Sequence, residues 1–411
     1  MKTILLMTVG TGTGDSQEKI DSLAHGLLYS IKNTNPSYTI FFGSETSKKT
    51  LRSMKKQFFK EFKSEFRDYE FVLLNDIDDF NECFDKIKEK LDEHENNEIK
   101  IDYTSGTKTM TMTAGICAAI YRKDLFVITG TRNKEGIVEK GTESKRTQNL
   151  YKIYDKFSLD KIKDAFNQNR FRTGIELLEE TRGLKNKDSL LNLFKLYGNW
   201  DKFNHEKADQ IFNNEFDGEF EYFPELQNKL NTHKKVIERI INSGEESLGC
   251  SYILADLLNN AVRRAEEGKY DDAIARLYRS LELIAQIRLK TGYKIKTSNV
   301  DIEKLKNKIK NQKYYDNLLK VKMSRKKVTL GSKDSFELLK NLDDPIGMTY
   351  EREKKTISTN LSLRNKSILA HGLEHRTEKE YENFKKCVLD ISKELDKNIH
   401  KYMKDAEFPK F

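Results

Sequence analysis

Short apolar runs alternate with amphipathic stretches over roughly the first 150 residues. The runs are rich in β-branched and aromatic side chains, and the stretches between them are typical of helices. Strands that alternate with helices indicate a parallel, doubly wound sheet. The predicted strands are TILLMTV, YTIFFG, YEFVLL, EIKIDYT and DLFVITG, and RNKEGIVEKGTE after the last of them is predicted to be an extended or hairpin appendage.

From about residue 157 onward the strand signals stop and only helical patterns follow. The last helix is predicted to begin at a capping box formed by Thr377 and Glu380. The fold class is therefore an α/β doubly wound, Rossmann-like N-terminal domain followed by an all-α C-terminal domain. We place the boundaries at 1–155 for the sheet domain, 156–245 for a helical connecting region and 246–411 for the C-terminal domain.

Composition and charge indicate the kind of compartment in which the protein works. The 74 basic residues exceed the 65 acidic ones only mildly, and the four cysteines lie far apart without a CxxC pair. This argues against structural zinc or a disulfide framework and favours a reducing compartment. No apolar run reaches the roughly 18 residues of a membrane span, and the N-terminal run is too short for a secretory signal. We therefore expect a cytoplasmic protein that does not enter the membrane.

The first predicted strand runs directly into the glycine-rich segment GTGTGDSQEK. Gly10, Gly12 and Gly14 allow close backbone approach, and the helix that follows offers free N–H groups to an anion. The segment is not the dinucleotide fingerprint, whose third glycine would fall at Asp15, and no Gly-Lys-Ser/Thr follows to make a Walker A loop. Alone, it could equally be a tight strand-to-helix turn.

The fourth predicted strand ends in a second polar loop, IDYTSGTKTM, that also leads into a helix. In a parallel sheet both loops emerge at the carboxyl ends of strands, where ligands bind. Two such loops favour a phosphate-bearing ligand over a pair of structural turns, although a helix N-cap is the alternative role for Thr104 and Ser105. The polar residues of this loop are Thr104, Ser105, Gly106, Thr107 and Lys108.

The segment LRNKSILAHG in the C-terminal part combines an arginine with a histidine seven residues later. Seven residues are almost two helical turns, so Arg364 and His371 are predicted to share one helix face. Ile357, Leu361 and Ile368 fall on the same seam. An arginine on a packed seam needs a partner or a pocket, because burying its charge alone is costly. A structural ion pair remains the alternative to a functional site.

The chemistry of this pair suits RNA cleavage. His371 can exchange a proton with a 2′-hydroxyl or a 5′-oxygen leaving group near neutral pH, and Arg364 can hold the scissile phosphate through two N–H bonds. Asn365 points about 100° away on a helix and is expected to support its neighbour. The arrangement needs no metal. One histidine per chain supplies either an acid or a base, so two copies about a two-fold axis would complete the set.

Two neighbouring features bear on this interpretation. The letters HGLEH, from His371 to His375, match a metallopeptidase signature, but Gly372 would weaken the helix that this reading requires. Between 304 and 327 the chain carries ten basic residues and one acid, with Tyr314 and Tyr315 interleaved. That stretch is either a solvated helix face or a surface for single-stranded RNA, and we favour the RNA surface.

Together, the loops TVGTGTG and DYTSGTKTM, followed by helices that carry LRNKSILAH, resemble the CARF–HEPN ribonucleases of type III CRISPR systems. The six residues between Arg364 and His371 fit that family's R-x(4–6)-H pattern, and Asn365 matches the asparagine that follows the arginine. The stretch GKYDDAIARLYRSLELIAQIRL is similar to the helix that precedes the catalytic one. The middle helices match no part of the family residue by residue.

This resemblance implies a homodimer in which paired CARF domains bind cyclic oligoadenylate, a second messenger of antiviral defence, and paired HEPN domains cleave single-stranded RNA without a metal or cofactor. Arg364 and His371 would be catalytic and Asn365 supportive. Thr107 and Lys108 are candidates for slow cleavage of the activator itself. The alternative is a CARF-type sensor whose helical domain binds RNA or a protein without cutting. The implied ligand residues are Gly10, Thr11, Gly12, Thr13, Thr104, Ser105, Gly106, Thr107 and Lys108.

Overall fold

The computed structural model describes residues 2–12, 16–134, 138–148, 150–214, 226–242, 249–324 and 327–411. The chain divides into two units. The first contains the residues up to Ser158 together with Thr181–Leu184, and the second contains Leu159–Glu180 and Lys185–Phe411. The helices of the predicted connecting region lie mainly in the second unit, together with the C-terminal helices.

A six-stranded sheet organises the first unit, in the strand order β3-β2-β1-β4-β5-β6. Strands β1 to β5 are parallel, and β6 runs antiparallel to β5 at the edge. The doubly wound fold class is thus confirmed, with one strand, β6, that the sequence did not predict. The elements are β1 Thr3–Thr8, α1 Gln17–Thr34, β2 Tyr38–Gly43, α2 Lys48–Phe62, β3 Tyr69–Leu73, α3 Phe80–Glu93, β4 Glu98–Asp102, α4 Lys108–Ile120, β5 Asp124–Thr129 and β6 Ser144–Gln148.

The sheet is buried on both faces. Along β1, Ile4 and Leu6 belong to the core that includes residues of α3 and α4, whereas Leu5 and Met7 belong to the core that includes residues of α1 and α2. A parallel strand covered on both faces needs apolar side chains at every position, because successive side chains point to opposite faces. This requirement explains the uninterrupted apolar run in β1.

Helices make up the second unit, which confirms the all-α class predicted for this part. Its largest core is built from α10, α11, α13, α14 and α16. The predicted capping box of α16 is present, since the Thr377 N–H donates to Glu380 at 2.8 Å and the Thr377 hydroxyl accepts from the Glu380 N–H. The helices are α5 Tyr151–Asn167, which begins in the first unit, α6 Phe171–Glu180, α7 Lys187–Asp201, α8 His205–Asn214, α9 Leu226–Ile241, α10 Gly249–Glu266, α11 Tyr270–Tyr293, α12 Gln312–Ser324, α13 Ser332–Asn341, α14 Pro345–Arg352, α15 Lys354–Asn365, α16 Glu378–Leu395 and α17 Ile399–Asp405.

A buried histidine lies in an aromatic cluster of this unit. His233 is 1% exposed and its ring stands edge-on to Trp200, with the ring centroids 5.2 Å apart. Its Nε2 faces the carbonyl oxygen of Glu407 at 3.1 Å, and its Nδ1 lies 2.7 Å from the Tyr197 hydroxyl. Because a carbonyl only accepts, Nε2 carries the proton and Nδ1 accepts from Tyr197. The ring is therefore neutral in the folded protein.

His233 makes stability depend on pH in a defined direction. Burial lowers the pKa of His233 to about 3 from its usual 6.5. The unfolded chain therefore binds the extra proton first, and stability is lost as pH falls below 6.5. Between pH 6.5 and 5 this one group should cost roughly 1–2 kcal/mol of unfolding free energy. Urea unfolding at the two pH values should show this loss in the parent and a smaller one in His233→Gln. The exposed His400→Gln should behave like the parent, and an equal loss in all three proteins would contradict the assignment.

Candidate ligand loops and candidate active site

The two predicted ligand loops begin side by side in the first unit. They follow β1 and β4, which are neighbouring parallel strands, and the last residue of β4, Asp102, pairs with Met7 one residue before the end of β1. The strand order reverses at this pair, since β2 and β3 lie beyond β1 and β5 lies beyond β4. Ligands of doubly wound sheets bind at such a reversal, outside the carboxyl ends of the strands. The fold thus brings the two loops together.

Hydrogen bonds and a close main-chain approach join these loops to each other. The Gly10 N–H donates to the Ser105 hydroxyl oxygen at 3.0 Å, and the Thr8 hydroxyl donates to the Ser105 carbonyl. A Cβ added at Gly10 would lie 3.1 Å from the Cα of Gly106, whose φ of +120° is itself rare for other residues. Glycine is favoured at both positions, because the loops approach each other through their main chains and the backbone of Gly106 is rarely adopted by other residues. Ser105 is buried between them.

Thr104 anchors its loop to the sheet. Its hydroxyl donates to the carboxylate of Asp102 and accepts from the Ile128 N–H at 2.8 Å. Asp102 is 1% exposed, and burial raises the pKa of its carboxyl. The Thr104 hydroxyl is therefore occupied by contacts that shape the loop.

Thr107, and neither Thr104 nor Ser105, caps the helix that follows. Its hydroxyl accepts from the Met110 N–H at 3.2 Å and donates to the Ile77 carbonyl at 2.9 Å. Lys108 is the first residue of α4 and its side chain is exposed. A cation at the positive end of a helix adds to the attraction for an anion.

The remaining ligand residues differ in how far they are exposed. Thr11 is partly exposed and Gly12, with a φ of +80°, is exposed, so both can meet a ligand. Thr13 lies outside the described residues. The accessible part of the predicted set is thus glycine backbone, Thr11 and Lys108, while the hydroxyls of Thr104, Ser105 and Thr107 build the loops.

In the second unit, the prediction that Arg364 and His371 share one helix face is wrong. Helix α15 ends at Asn365, and the chain then reverses through a tight turn. The Glu374 N–H donates to the Lys366 carbonyl at 3.0 Å, and residues 367 and 374 form an isolated β-bridge. A spacing of seven residues is compatible with two turns of an α-helix. Here the seven residues instead cover the end of α15 and the chain reversal that follows it.

The turn nevertheless holds the three predicted catalytic residues together. The His371 N–H donates to the Asn365 carbonyl at 3.1 Å, so the histidine backbone lies against the end of the helix that carries Arg364. Arg364 Nη1 donates to Asn365 Oδ1 at 3.2 Å. The side chain of His371 is exposed. The sequence therefore identified residues that lie close together, although by the wrong geometry.

Gly372 allows this turn to close. A Cβ added there would lie 2.0 Å from the carbonyl oxygen of Lys366, a distance at which no side chain fits. The predicted seam also ends earlier than expected. Ile357 is 1% exposed, but Ile368 is 69% exposed and was wrongly placed on the packed face. With Leu369 and Leu373 it forms an exposed apolar surface on the turn that carries His371.

Arg364 lies over an aromatic ring and forms no ion pair with a carboxylate of the described residues. Its guanidinium carbon is 5.2 Å from the ring centroid of Tyr278 on α11, a cation–π contact. Burial raises the pKa of Tyr278 to about 12, so the phenol stays neutral. Within the described part of the chain, Arg364 Nε is buried without a hydrogen-bond partner, and the side chain forms no ion pair with a carboxylate. The described residues therefore do not form the structural ion pair that was the alternative role for Arg364.

The structure also describes the HGLEH segment and most of the basic stretch between 304 and 327. The letters HGLEH form a turn and a bridge in place of the continuous helix that the metallopeptidase reading requires. Among the described residues there is no group of three or more His, Cys, Asp or Glu that could hold a metal ion. In the basic stretch, Tyr315 is 5% exposed and Tyr314 packs against the same core. Tyr315 is therefore not available to stack on RNA bases, whereas Tyr314 is partly exposed.

Two family models match the chain in sequence order. The Csm6 6H domain matches residues 154–242 and the Csm6 HEPN domain matches residues 244–395, which together exceed half of the chain. The chain belongs to the CARF–HEPN family of type III CRISPR proteins. The resemblance inferred from its loops and its Arg-Asn…His segment is confirmed.

One solved structure agrees with this CARF–HEPN assignment in fold. The chain is similar to Enterococcus italicus Csm6 bound to cyclic hexa-2'-fluoro-hexa-dAMP, with a TM-score of 0.64, 14% identity and 99% of each chain covered. A second similarity, to Can2 from Sulfobacillus thermosulfidooxidans in complex with cyclic tetra-adenylate, has a TM-score of 0.25 and 11% identity over 62% of this chain and 67% of that one, and supports no argument. Among curated proteins there is no match. Within the described residues, no helix is both long enough and apolar enough to span a bilayer.

Proposed function

We propose that this CARF–HEPN protein is a single-stranded RNA endoribonuclease that cyclic oligoadenylate activates in type III CRISPR antiviral defence. The observation that carries the proposal is the turn at residues 366–374. It fixes the backbone of His371 against the end of α15. Arg364 lies in the last turn of that helix and forms no ion pair with a described carboxylate. An exposed imidazole can transfer the protons of a phosphodiester reaction, and a guanidinium without an ion-pair partner can stabilise the charge that develops on the phosphate.

The proposed reaction uses the RNA's own 2′-hydroxyl as nucleophile. One imidazole takes the 2′-proton as the oxygen attacks phosphorus, and a second gives a proton to the departing 5′-oxygen. Arg364 donates two N–H bonds to the phosphate oxygens on which charge accumulates. No metal takes part in this scheme. The second imidazole would come from another copy of the chain, as a homodimer, and exposed Ile368, Leu369 and Leu373 beside His371 are an apolar surface that a second copy could cover.

Cyclic oligoadenylate suits the paired loops of the sheet unit. Its phosphates would meet Lys108, the amino end of α4 and the backbone around Gly10, Gly12 and Gly106. The solved Csm6 to which this fold is similar was bound to a cyclic hexanucleotide, which supports the same ligand class here. Thr11 and Thr13 would complete the pocket.

The proposal is tested by incubating labelled single-stranded RNA with the protein, EDTA and cyclic oligoadenylates of several ring sizes. We expect one ring size to stimulate cleavage and EDTA to leave the rate unchanged. RNA binding without cleavage at any ring size would favour the sensor that does not cut. Loss of cleavage in EDTA would contradict the metal-independent scheme.

Replacing Lys108 should weaken the response to the activator. In Lys108→Ala we expect the activator concentration for half-maximal cleavage to rise at least about tenfold, because a charged hydrogen bond to phosphate contributes about 1.5–3 kcal/mol. A titration of cleavage rate against activator measures it. Lys88→Ala removes an exposed lysine of α3 and should keep the parent value. If Lys108→Ala lowers cleavage without activator by the same factor, this loop does not bind the activator.

A further inference from the structure

A cavity lies beside the proposed catalytic arginine, between α15 and α16. It has a volume of about 560 Å³, within the range of pockets that bind small ligands. Asn360 in its wall precedes Arg364 by four residues on α15, so the two side chains are neighbours on one helix face. The lining residues are Glu353, Lys355, Thr356, Thr359, Asn360 and Leu363 from the α15 side, with Glu380, Asn383, Lys386, Cys387 and Asp390 from α16.

The charge of this cavity argues against a phosphate as its occupant. Three carboxylates line it, from Glu353, Glu380 and Asp390, against two ammonium groups, from Lys355 and Lys386. Glu380 and Asp390 also pair with Arg376 and Lys393 outside the lining, so the cavity offers no excess of positive charge to hold the RNA backbone. Carboxylate, carboxamide and hydroxyl oxygens instead accept hydrogen bonds from amino groups. An uncharged group that carries N–H donors is therefore the occupant that fits.

Asn360 supplies the most buried polar group of the wall. It is 4% exposed, and its Nδ2 donates to the Thr356 carbonyl at 2.9 Å within the helix. Its Oδ1 accepts no hydrogen bond from the described part of the chain, so this oxygen is left for a ligand. Leu363 and the buried Cys387 provide apolar surface for a flat ring. A base with an exocyclic amino group satisfies both features.

We propose that this cavity holds one of the two nucleobases that flank the scissile phosphate, and that it selects bases with an exocyclic amino group over uracil. Adenine, cytosine and guanine carry such a group, and Asn and acidic side chains recognise it on adenine and cytosine. Uracil presents a carbonyl at the equivalent position and would face acceptor oxygens. The inference rests on the proposed ribonuclease activity. It adds that the protein recognises a base next to the cleaved phosphate.

The test is to cleave a random-sequence RNA pool and to sequence the ends. In the parent protein, uridine should be depleted at one position next to the cut. Asn360→Leu keeps the branched shape of the side chain but removes its oxygen, and we expect it to reduce this depletion about tenfold. Asn383→Leu, at an exposed position of the same wall, should shift the profile in the same direction and serves if Asn360→Leu does not fold.

Asn341→Leu is the matched control. Asn341 makes the same bond within a helix, from Nδ2 to the carbonyl four residues earlier at 2.8 Å, but does not line the cavity. It should leave the base frequencies unchanged. Cleavage by Asn360→Leu and Asn383→Leu with the parent's base frequencies would overturn the pocket alone. If the parent protein shows no RNA cleavage that depends on His371, the proposed ribonuclease activity is wrong. The proposed base pocket then fails with it.

Discussion

His371→Ala is expected to lower activator-stimulated RNA cleavage by at least about a hundredfold, because a positioned acid or base contributes about 10²–10⁴ to such a rate. The turn places this histidine next to the end of α15 by its backbone, and alanine keeps that backbone bond while it removes the imidazole. Single-turnover cleavage of labelled single-stranded RNA at saturating activator measures the loss. The thermal unfolding temperature should stay within a few degrees of the parent's, since the ring is exposed.

His375→Ala is the matched control for this experiment. His375 is an exposed histidine four residues further on, beyond the β-bridge that closes the turn. Its removal should change the rate by no more than about twofold if His371 alone carries the proton transfer, in line with surface substitutions generally. Persistent cleavage by His371→Ala would mean that another group moves the proton, and equal losses in both variants would point to a metal or structural role for the pair.

Gly372→Ala should abolish cleavage nearly as completely, although residue 372 performs no chemistry. The added Cβ would lie 2.0 Å from the Lys366 carbonyl oxygen, and the nearest atoms are all backbone, which cannot move aside as a flexible side chain can. The turn must therefore open, and the bond from the His371 N–H to the Asn365 carbonyl is lost with it. A displacement of about 1 Å at a reacting group can cost about a hundredfold. Cleavage rate and thermal unfolding should be measured together.

Gly292→Ala provides the comparison for a glycine that is not required. It lies in the last turns of α11, and the atoms nearest to its added Cβ, at 3.5 Å and beyond, belong to the flexible Arg288 side chain. Alanine is favoured over glycine in a helix by about 1 kcal/mol, so this variant should be active and slightly more stable. If Gly372→Ala cleaves RNA at the parent rate, the geometry of the turn does not position His371.

The sequence predicted the sheet well because its buried strands leave a strong signal. A strand such as β1 is covered on both faces and reads as a continuous apolar run, which few other structures produce. β6 was missed because its letters, SKRTQ, are polar, and it lies at the sheet edge, where one partner strand suffices. Its pairing with β5 depends on a return of the chain that no local pattern encodes.

The residues of the candidate site were easier to predict than its geometry. The spacing of Arg364 and His371 suggested a helix, yet Gly372, which was used only against a metal-binding helix, indicated that the helix would not continue. Tyr278 was not identified at all, because it lies on another helix far away in the sequence and only tertiary packing brings it to Arg364. The hydroxyls in the loop after β4 form hydrogen bonds within the protein. The sequence could not show this, because it gives residue types and not their hydrogen-bond partners.

The backbone attachment of His371 has a consequence for how such a site could be switched. Within the described part of the chain, no hydrogen bond or ion pair fixes its imidazole, so the ring is free to sample several rotamers. Restricting a side chain of this size costs on the order of 1 kcal/mol of conformational entropy, which is a several-fold factor in the fraction of time spent in one orientation. A distant ligand could therefore raise the rate of RNA cleavage by restricting the two side-chain torsion angles of His371. The main chain of the turn would not have to move.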